Sequence, residues 1–367
     1  MPLDNPLPIE VPIYLSASFQ HPLPNGNPNM TDRGTELKYS REENPTVRYL
    51  EHKVAKLEGL KDGLAFNSGM AAISTLLIPR GRRGILIGID AYATTVQLAL
   101  DLRELGFQVK IVAVDELPDN ITREYGLILL ESLTNPMLRV PDIPAIGDRS
   151  EEVDAELAID NTFTPPEIFR PAKYGAKFVL HSATKYLSGH NDIIAGLTLS
   201  DNIEEQWEWR RKLGTILDPI RAFMLIRGLY TLQFRIRRHS ETALEVAKFL
   251  EEAKGVKEVR YPGLESDPYH KRAKELFGGL YGGVVTFKIE GNVFEFFKSL
   301  KVVKPAPSLG APTSLVTFPL MSSARELPEE MLERLGIDNS TVRLSVGLED
   351  PQQIIQDLEE ALKSSAR

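Results

Sequence analysis

The sequence contains no cysteine in its 367 residues. Disulfide bonds, thiolate nucleophiles and cysteine-ligated zinc or iron–sulfur sites are therefore excluded. The chain also lacks a basic excess, because 43 Lys and Arg stand against 51 Asp and Glu, a formal net charge of −8. Binding to a phosphate backbone needs clustered positive charge, so nucleic acid is not an expected partner. None of the six histidines has the spacing of a metal site, and no metal is expected.

Long apolar runs are missing as well. No stretch reaches the roughly 18 apolar residues of a membrane-spanning helix, and the N-terminus lacks the basic and apolar segments of a signal peptide. The sequence therefore predicts a cytoplasmic protein with no membrane contact. With 42% hydrophobic and 26% charged residues the composition is that of a globular protein, and the length favours a large domain with a smaller one.

The spacing of apolar residues predicts an α/β fold. Asn44 is a suitable N-cap and Pro45 suits the first helical position, so a helix is expected from residue 45 to Gly59. Between residues 63 and 200 short apolar runs alternate with helical patterns, which predicts a large domain with a mostly parallel sheet flanked by helices. The expected strands are residues 84–89, 108–114, 126–130, 156–160, 177–181 and 193–199.

The C-terminal part of the sequence predicts a smaller α+β domain. A long helical region is expected at residues 218–252, and a Tyr-Pro-Gly-Leu turn follows it at 261–264. Beyond the turn, the pattern predicts strands at 283–289 and 341–346 and helices near 292–300, 327–335 and 350–363. The expected divisions are an N-terminal arm over residues 1–45, a large domain over 46–250 and a C-terminal domain over 251–367.

The strongest chemical signal is the string His-Ser-Ala-Thr-Lys-Tyr at residues 181–186, where a buried strand is expected to end. In open α/β sheets ligands bind beyond the carboxyl ends of the strands. The hydroxyls of Ser182 and Thr184 point to one side of an extended segment and suit a phosphate, with the Lys185 amine beside them. An aldehyde cofactor with a phosphate tail needs this combination, although a polar loop explains the string equally well on its own.

Two further segments offer groups for such a cofactor. Asp160 ends the expected strand that precedes the one leading to Lys185, and a carboxylate there could hold a pyridinium nitrogen protonated. Taken alone, an aspartate after a strand is more often a helix cap or a turn residue. Gly69 and Met70 open an apolar helix whose free amides favour a phosphate, while a glycine there could equally serve close packing.

Other polar or aromatic residues follow or interrupt expected strands. Tyr92 could stack on a flat cofactor or merely rim the core. Glu131 and Asn135 lie at the same sheet edge and could orient the cofactor or the substrate, whereas an Asn-Pro turn is the simpler explanation of Asn135. Arg343 is polar within an apolar strand pattern. Its planar guanidinium suits a carboxylate, and an arginine on an exposed strand face is the alternative.

In order and along nearly the whole chain, these motifs resemble those of the Cys/Met-metabolism family of pyridoxal 5′-phosphate (PLP) enzymes. The family includes cystathionine γ-synthase, cystathionine γ-lyase, methionine γ-lyase and O-acetylhomoserine sulfhydrylase, and the resemblance implies the fold-type I architecture of PLP enzymes. The strings that carry it are Tyr-Ser-Arg at 39–41, Asn-Pro-Thr at 44–46, Ser-Gly-Met at 68–70, Asp-Asn-Thr-Phe at 160–163, Ser-Ala-Thr-Lys-Tyr at 182–186, Gly-His at 189–190, Arg-Gly-Leu at 227–229, Ser-Leu-Gly at 308–310 and Arg-Leu-Ser at 343–345.

The resemblance implies a role for each candidate residue. Lys185 would carry PLP as a Schiff base, Asp160 would pair with the ring nitrogen, and Tyr92 would stack on the ring and act at the leaving group. The residues implied to hold the cofactor phosphate are Gly69, Met70, Ser182, Thr184 and, from a neighbouring subunit, Tyr39 and Arg41. Those implied to bind the α-carboxylate of an amino-acid substrate are Asn135, Ser308 and Arg343.

The implied reaction is elimination or replacement at the γ-carbon of sulfur amino acids or O-acylhomoserine, in a dimer with shared active sites or a tetramer built from two dimers. The sequence departs from the usual family strings at two places. Ala93 and Thr94 replace the glycines that commonly follow Tyr92. Thr313 stands where many members have a glutamate that binds the far amino group of cystathionine, which gives weight to methionine or O-acylhomoserine. An aminotransferase and an inactive cofactor-binding protein are remote alternatives.

Overall fold

The computed structural model describes residues 8–19, 39–325 and 327–366. Seven strands form its larger sheet: β1 (Asp62–Phe66), β2 (Ile85–Gly88), β3 (Val109–Val112), β4 (Leu127–Glu131), β5 (Glu156–Asp160), β6 (Phe178–Ser182) and β7 (Gly196–Ser200). Their spatial order is β1-β7-β6-β5-β4-β2-β3. β7 runs antiparallel to β6 and β1, and the other neighbouring pairs are parallel. The prediction of a mostly parallel sheet is confirmed.

Helices cover both faces of this sheet. They are α1 (Pro45–Glu58), α2 (Gly69–Arg80), α3 (Ala93–Glu104), α4 (Leu117–Asn120), α5 (Ile143–Glu152), α6 (Glu204–Leu213), α7 (Pro219–Leu229) and α8 (Leu232–Glu252). Successive strand residues point to opposite faces, so Leu130 and Ile159 pack in one apolar core while Leu129 and Ala158 pack in the other. Because both faces are buried, the strands read as continuous apolar runs in the sequence.

The C-terminal part of the chain forms a second, smaller sheet. Its strands are β8 (Val256–Arg260), β9 (Val284–Ile289), β10 (Lys304–Pro305), β11 (Leu315–Thr317) and β12 (Thr341–Ser345), accompanied by α9 (His270–Phe277), α10 (Val293–Ser299), α11 (Glu329–Leu335) and α12 (Pro351–Ser365). Their order is β10-β11-β12-β9-β8. The expected smaller α+β unit is confirmed. The boundaries at residues 45 and 250 stay predictions, and the second falls within the last turn of α8.

Two predicted elements differ from the structure. The helical region expected at 218–252 is two helices, because the chain turns between α7 and α8 at Tyr230 and Thr231. Gly228 lets α7 approach the loop after β6, since a Cβ there would lie 2.4 Å from the Ser188 carbonyl oxygen. The strand expected at 193–199 begins only at Gly196.

No helix in the described ranges combines the length and apolar character needed to cross a bilayer.

A buried ionic network ties β1 to the segment before α1. Arg210 is fully buried and donates to Glu51 Oε1 and to the carbonyl oxygen of Ala65, at 2.5 and 3.2 Å. Its other terminal nitrogen donates to Glu43 Oε1 at 3.2 Å. Charged groups removed from water are stable only when such partners compensate them, so this arginine holds three chain segments together.

We expect Arg210→Met to lower the free energy of unfolding by about 3–5 kcal/mol, because the variant leaves buried carboxylates with less compensation. Arg48 still pairs with Glu51 Oε2 at 3.0 Å, which places the loss toward the lower end. Urea denaturation measures it. The matched control is Arg211→Met, since Arg211 makes a partly exposed pair with Glu208 that is worth about 1 kcal/mol or less. Equal midpoints for both variants would contradict the assignment.

Candidate active site

The carboxyl ends of β4, β5 and β6 open into a cavity of about 710 Å³. Side chains from both sheets line this cavity. Among the residues singled out by the sequence, those that line it are Gly69, Met70, Tyr92, Glu131, Asn135, Asp160, Ser182, Thr184, Lys185, Ser308 and Arg343. Segments that are distant in the sequence therefore meet at the sheet edge where ligands collect in open α/β folds.

Lys185 presents its amine to the cavity from the loop that follows β6. Its Nζ donates to Ser308 Oγ at 2.9 Å. Burial and, to a smaller extent, the positive charge of Arg343 together lower the pKa of this amine to about 8. A lysine whose pKa lies near neutrality holds a sizeable neutral fraction, which is the form that attacks a carbonyl carbon.

We expect the rate at which PLP binds covalently to the apo-protein to rise with pH and to level off above about pH 8, the pKa of Lys185. Only the neutral amine attacks the aldehyde, so the rate follows the deprotonated fraction. Arg343→Gln removes the nearby cation and should move the plateau to higher pH. Stopped-flow absorbance measures both profiles. A rate independent of pH across the neutral range would contradict a titrating amine.

Asp160 is held by its neighbour Thr162. Its Oδ1 accepts hydrogen bonds from the Thr162 amide at 3.0 Å and from Thr162 Oγ1 at 2.5 Å. The same hydroxyl accepts from the Ser182 amide at 2.7 Å, so one threonine links the ends of β5 and β6. Burial raises the pKa of Asp160, and the two Thr162 bonds oppose that rise by stabilising the anion. The two bonds from Thr162 thus fix the orientation of the carboxylate, which lines the cavity and can pair there with a cationic group of a ligand.

The N-terminus of α2 lies against Ser182. Ser68 caps this helix, and its Oγ accepts from the Ala71 amide at 3.1 Å. The first-turn amides of Gly69 and Met70 have no carbonyl partner within the helix. A Cβ on Gly69 would lie 3.1 Å from Ser182 Cβ, so glycine allows the helix end to come this close. Free amides and the positive end of the helix dipole make this corner suitable for a phosphate.

Arg343 reaches the cavity from β12 of the second sheet. Its Nη1 donates to Asn135 Oδ1 at 2.8 Å, and its Nη2 donates to the Ser308 carbonyl oxygen at 3.1 Å. Ser308 adopts the left-handed φ of 103°, which is costly for a residue with a side chain and is typical of functional loops. Burial lowers the pKa of Arg343 to about 10, still well above neutrality, so the side chain remains a cation. Its planar fork suits a carboxylate.

Tyr92 stands at the cavity mouth immediately before α3. Its side chain is 40% exposed, and its backbone amide donates to Glu131 Oε1 at 2.7 Å. Glu131, the last residue of β4, therefore fixes the chain at the point where the aromatic ring projects. Stacking of this ring on a cofactor stays a prediction.

Some of the residues named from the family resemblance lie outside the cavity of their own chain. Tyr39 and Arg41 are exposed and do not line the cavity of their own chain. Thr313 is exposed as well and does not line the cavity, so its side chain is not placed to contact a distal group of a bound substrate. Thr184 lines the cavity, and its hydroxyl donates to the Ala195 carbonyl oxygen at 3.2 Å; its role in holding a phosphate stays a prediction.

The sequence reasoning missed other residues of the site. Thr162, which orients Asp160, could have been found because it follows a strand-end acid in an Asp-x-Thr turn. The far wall of the cavity includes Phe297, Phe318, Met321 and Ser323, which come from α10 and the segment after β11. No motif marks these positions, and only the packing of the second sheet brings them to the cavity.

A family model described as "Cys/Met metabolism PLP-dependent enzyme" matches residues 7–363. The chain belongs to this family. Its expected cofactor is therefore PLP, and the resemblance read from the ordered motifs is confirmed. The cavity fits that cofactor, because it combines an amine of lowered pKa at Lys185, an anion site at the start of α2 and a partly buried carboxylate at Asp160.

Members of this Cys/Met-metabolism family with different named activities are similar to the chain. The cystathionine beta-lyase of Lactococcus lactis is 36% identical, covering 97% of this chain and 94% of the relative. The cystathionine gamma-synthase/O-acetylhomoserine (thiol)-lyase of Bacillus subtilis is 34% identical, covering 96% and 91%. The crystal structure of cystathionine gamma-lyase from Lactobacillus plantarum complexed with L-serine has a TM-score of 0.90 and 32% identity, covering 97% and 93%. The fold-type I architecture is thereby confirmed.

Proposed function

We propose that this enzyme catalyses PLP-dependent elimination or replacement at the γ-carbon of sulfur amino acids or O-acylhomoserine, in the manner of cystathionine γ-synthase and γ-lyase. One observation carries the proposal: Ser308 contacts both the Lys185 amine, through Oγ at 2.9 Å, and the Arg343 guanidinium, through its carbonyl oxygen at 3.1 Å. A single residue thus bridges the proton-transferring amine and the carboxylate-binding cation, an arrangement that suits groups acting on the α-hydrogen and the α-carboxylate of one amino acid.

Each side chain has a defined task in this reaction. When bound, PLP supplies an electron sink for the negative charge that develops on the substrate. Arg343 and Asn135 bind the α-carboxylate and fix the orientation of the α-carbon. Lys185 Nζ then accepts the α-proton, and its pKa of about 8 suits an amine that must both take and return a proton. Tyr92, at the open side of the cavity, donates a proton to the leaving group.

The far wall of the cavity favours an uncharged group on the γ-carbon. Phe297, Phe318 and Met321 make this wall apolar, with the hydroxyl of Ser323 among them. Among the described lining residues the acids are Glu131 and Asp160, which lie at the strand ends under the cofactor site. Within the described residues, the lining of this wall offers no acid to the distal ammonium group of cystathionine. The wall therefore supports methionine or O-acylhomoserine over cystathionine.

Product analysis with purified holoenzyme tests the proposed function. Methionine, O-acetylhomoserine with a thiol, and cystathionine are supplied separately, and 2-oxobutanoate, pyruvate and thioethers are quantified. We expect 2-oxobutanoate or a thioether from methionine or O-acetylhomoserine. Pyruvate from cystathionine would instead favour β-elimination, the activity named for the Lactococcus lactis relative. Transfer of the amino group without loss of the γ-substituent would contradict the proposal and favour an aminotransferase.

We propose further that the active unit is a homodimer, and that Tyr39 and Arg41 bind the cofactor phosphate of the neighbouring subunit. Both residues are exposed and lie shortly before α1, and a set of exposed apolar side chains is found on α1, on α7 and at the start of α8. That set includes Tyr49, Ile220, Tyr230 and Phe234. Exposed aromatic and aliphatic residues of this size commonly mark a subunit interface. A tetramer of two such dimers and a cytoplasmic location stay predictions.

We expect mixed dimers of Arg41→Ala and Lys185→Ala to regain activity that neither variant has alone. In a mixed dimer one site carries both defects and the other site neither, so a random mixture should show about one quarter of the wild-type activity and the isolated mixed dimer about one half. Co-expression with two different affinity tags isolates the mixed species. Both variants remaining inactive after mixing would contradict a shared site and would place Arg41 in its own chain's chemistry or in folding.

A further inference from the structure

Two carboxyl groups lie side by side at the floor of the cavity. Glu131 ends β4 and Asp160 ends β5, and the two residues are register partners in adjacent parallel strands. Register partners project to the same face of a sheet, so both carboxyl groups point toward the cavity that both residues line. The family roles account for Asp160 and leave Glu131 without an assigned task.

The hydrogen bonds of the two acids differ. Asp160 Oδ1 accepts two bonds from Thr162, which is the arrangement of a carboxylate. Glu131 accepts one bond from the Tyr92 amide through Oε1, and its Oε2 is buried with no hydrogen-bond partner in the described part of the chain. A buried anionic oxygen without a donor is costly, whereas a protonated oxygen loses far less on burial.

The charges around Glu131 favour the same form. Burial, the charge of Asp160 and, to a smaller extent, that of Asp90 together raise the pKa of Glu131 well above its ordinary value. The Tyr92 hydrogen bond and the Asn135 amide, which makes no hydrogen bond with Oε2, oppose this rise. Asp90 is paired with its own cation, Arg139, at 3.3 Å.

The two cations that line the cavity, Lys185 and Arg343, make their hydrogen bonds to groups other than Glu131. The terminal nitrogens of Arg343 bond Asn135 Oδ1 and the Ser308 carbonyl oxygen, and the Lys185 amine bonds Ser308 Oγ. A charge on Glu131 would act on Arg343 through space, but neither cation is hydrogen-bonded to Glu131.

We propose that Glu131 is an uncharged positioning residue that keeps its proton in the folded protein, holds the Tyr92 backbone through Oε1, and leaves Asp160 as the single anion beneath the cofactor ring. The single negative charge of Asp160 then faces the single positive charge of a protonated ring nitrogen. The neutral acid beside it fixes the tyrosine that faces the ring without competing for that charge. The protonation of Glu131 is a property of the chain itself, and only its consequence for cofactor binding rests on the proposed function.

The stability of the apo-protein as a function of pH tests the proposal without any cofactor. A carboxyl group whose pKa is raised by folding takes up a proton when the chain folds, so its contribution to stability falls as pH rises above the unfolded pKa of about 4.3. Glu131→Gln mimics the neutral acid and removes this dependence. We expect the urea midpoint of the variant to match that of the wild type in mild acid and to exceed it by a margin that widens toward neutral pH.

Asp338→Asn is the matched control. Hydrogen bonds from Ser340 and Lys288 hold the pKa of Asp338 at about 2 against the opposing effect of burial. Its stabilising contribution is present above the unfolded pKa and is lost only in stronger acid, so the gap between this variant and the wild type should stay constant over the same pH range. A constant gap for Glu131→Gln too, or a variant less stable than the wild type at every pH, would overturn the proposal.

Cofactor affinity supplies the second readout. Glu131→Gln should bind PLP as tightly as the wild type, whereas Asp160→Asn should weaken binding by about 10- to 150-fold, the range for a charge-assisted bond. Equal losses in the two variants would show that Glu131 is charged and would overturn the proposal. Failure of the wild type itself to bind PLP would overturn the proposed function, while the urea series would still decide the protonation of Glu131.

Discussion

Lys185→Ala is expected to reduce turnover of the preferred amino acid by at least about 10²–10⁴-fold, the usual contribution of a positioned acid–base group. The loss should be larger still if the same amine anchors the cofactor, because the variant then loses both tasks. Steady-state kinetics with saturating PLP measures the effect. Added PLP should not restore the rate, since the missing group is the amine rather than the cofactor.

Lys177→Ala is the matched control for this variant. Lys177 lies directly before β6, is exposed, and belongs to the same segment of the chain as Lys185. The control should retain wild-type turnover and wild-type absorbance. A Lys185→Ala enzyme with more than a tenth of the wild-type rate would show that another group carries the proton transfer.

Asp160→Asn is expected to lower turnover by about 10²–10³-fold, the range for losing one group that stabilises charge in a transition state. Asparagine preserves the shape of the side chain and can still accept from Thr162, but it carries no negative charge to hold a ring nitrogen protonated. Asp160→Glu keeps the charge and should recover part of the rate. Comparing the three enzymes under saturating substrate separates the effect of charge from that of shape.

The exposed helix residue Asp148 provides the control for charge removal. Asp148→Asn changes the same functional group on α5, away from the cavity, and should leave turnover unchanged. An Asp160→Asn enzyme as active as this control would contradict a role for Asp160 at the ring nitrogen.

Local sequence patterns predicted the parts of the fold in which local and tertiary preferences agree. α1 begins at the Asn44 cap and ends before Gly59 as expected, because the cap, Pro45 and the glycine each favour those boundaries independently of the rest of the chain. The central strands were predictable for a similar reason, since burial on both faces requires continuous apolar runs.

Elements whose stability depends on tertiary contacts were missed. β8, with its alternating Val-Lys-Glu-Val-Arg pattern, lies at the edge of the second sheet, while β10 and β11 are two- and three-residue strands. β1 is short and carries Gly63, which weakens its signal. The helix α9 was missed because it is short, spanning only the eight residues His270–Phe277.

The chemistry of the site was predictable to a similar extent. Residues at strand ends, such as Asp160 and Lys185, could be found because the topology of parallel sheets places them at one edge. The pairing of Arg343 with Asn135 could not, since it joins positions 208 residues apart through the packing of one sheet against the other. The difference in hydrogen bonding between Glu131 and Asp160 could not be predicted either. It depends on the strand register and on the unpartnered Oε2 of Glu131, and the sequence shows neither.

The central claim is that Lys185 is covalently linked to PLP, and borohydride reduction followed by peptide mass spectrometry tests it most directly. Reduction converts the linkage into a stable phosphopyridoxyl group whose mass is located on a peptide. The account predicts this group on the peptide containing Lys185 and its absence from the Lys185→Ala protein. Modification of a different lysine, or an unmodified Lys185 peptide from a protein saturated with PLP, would contradict it.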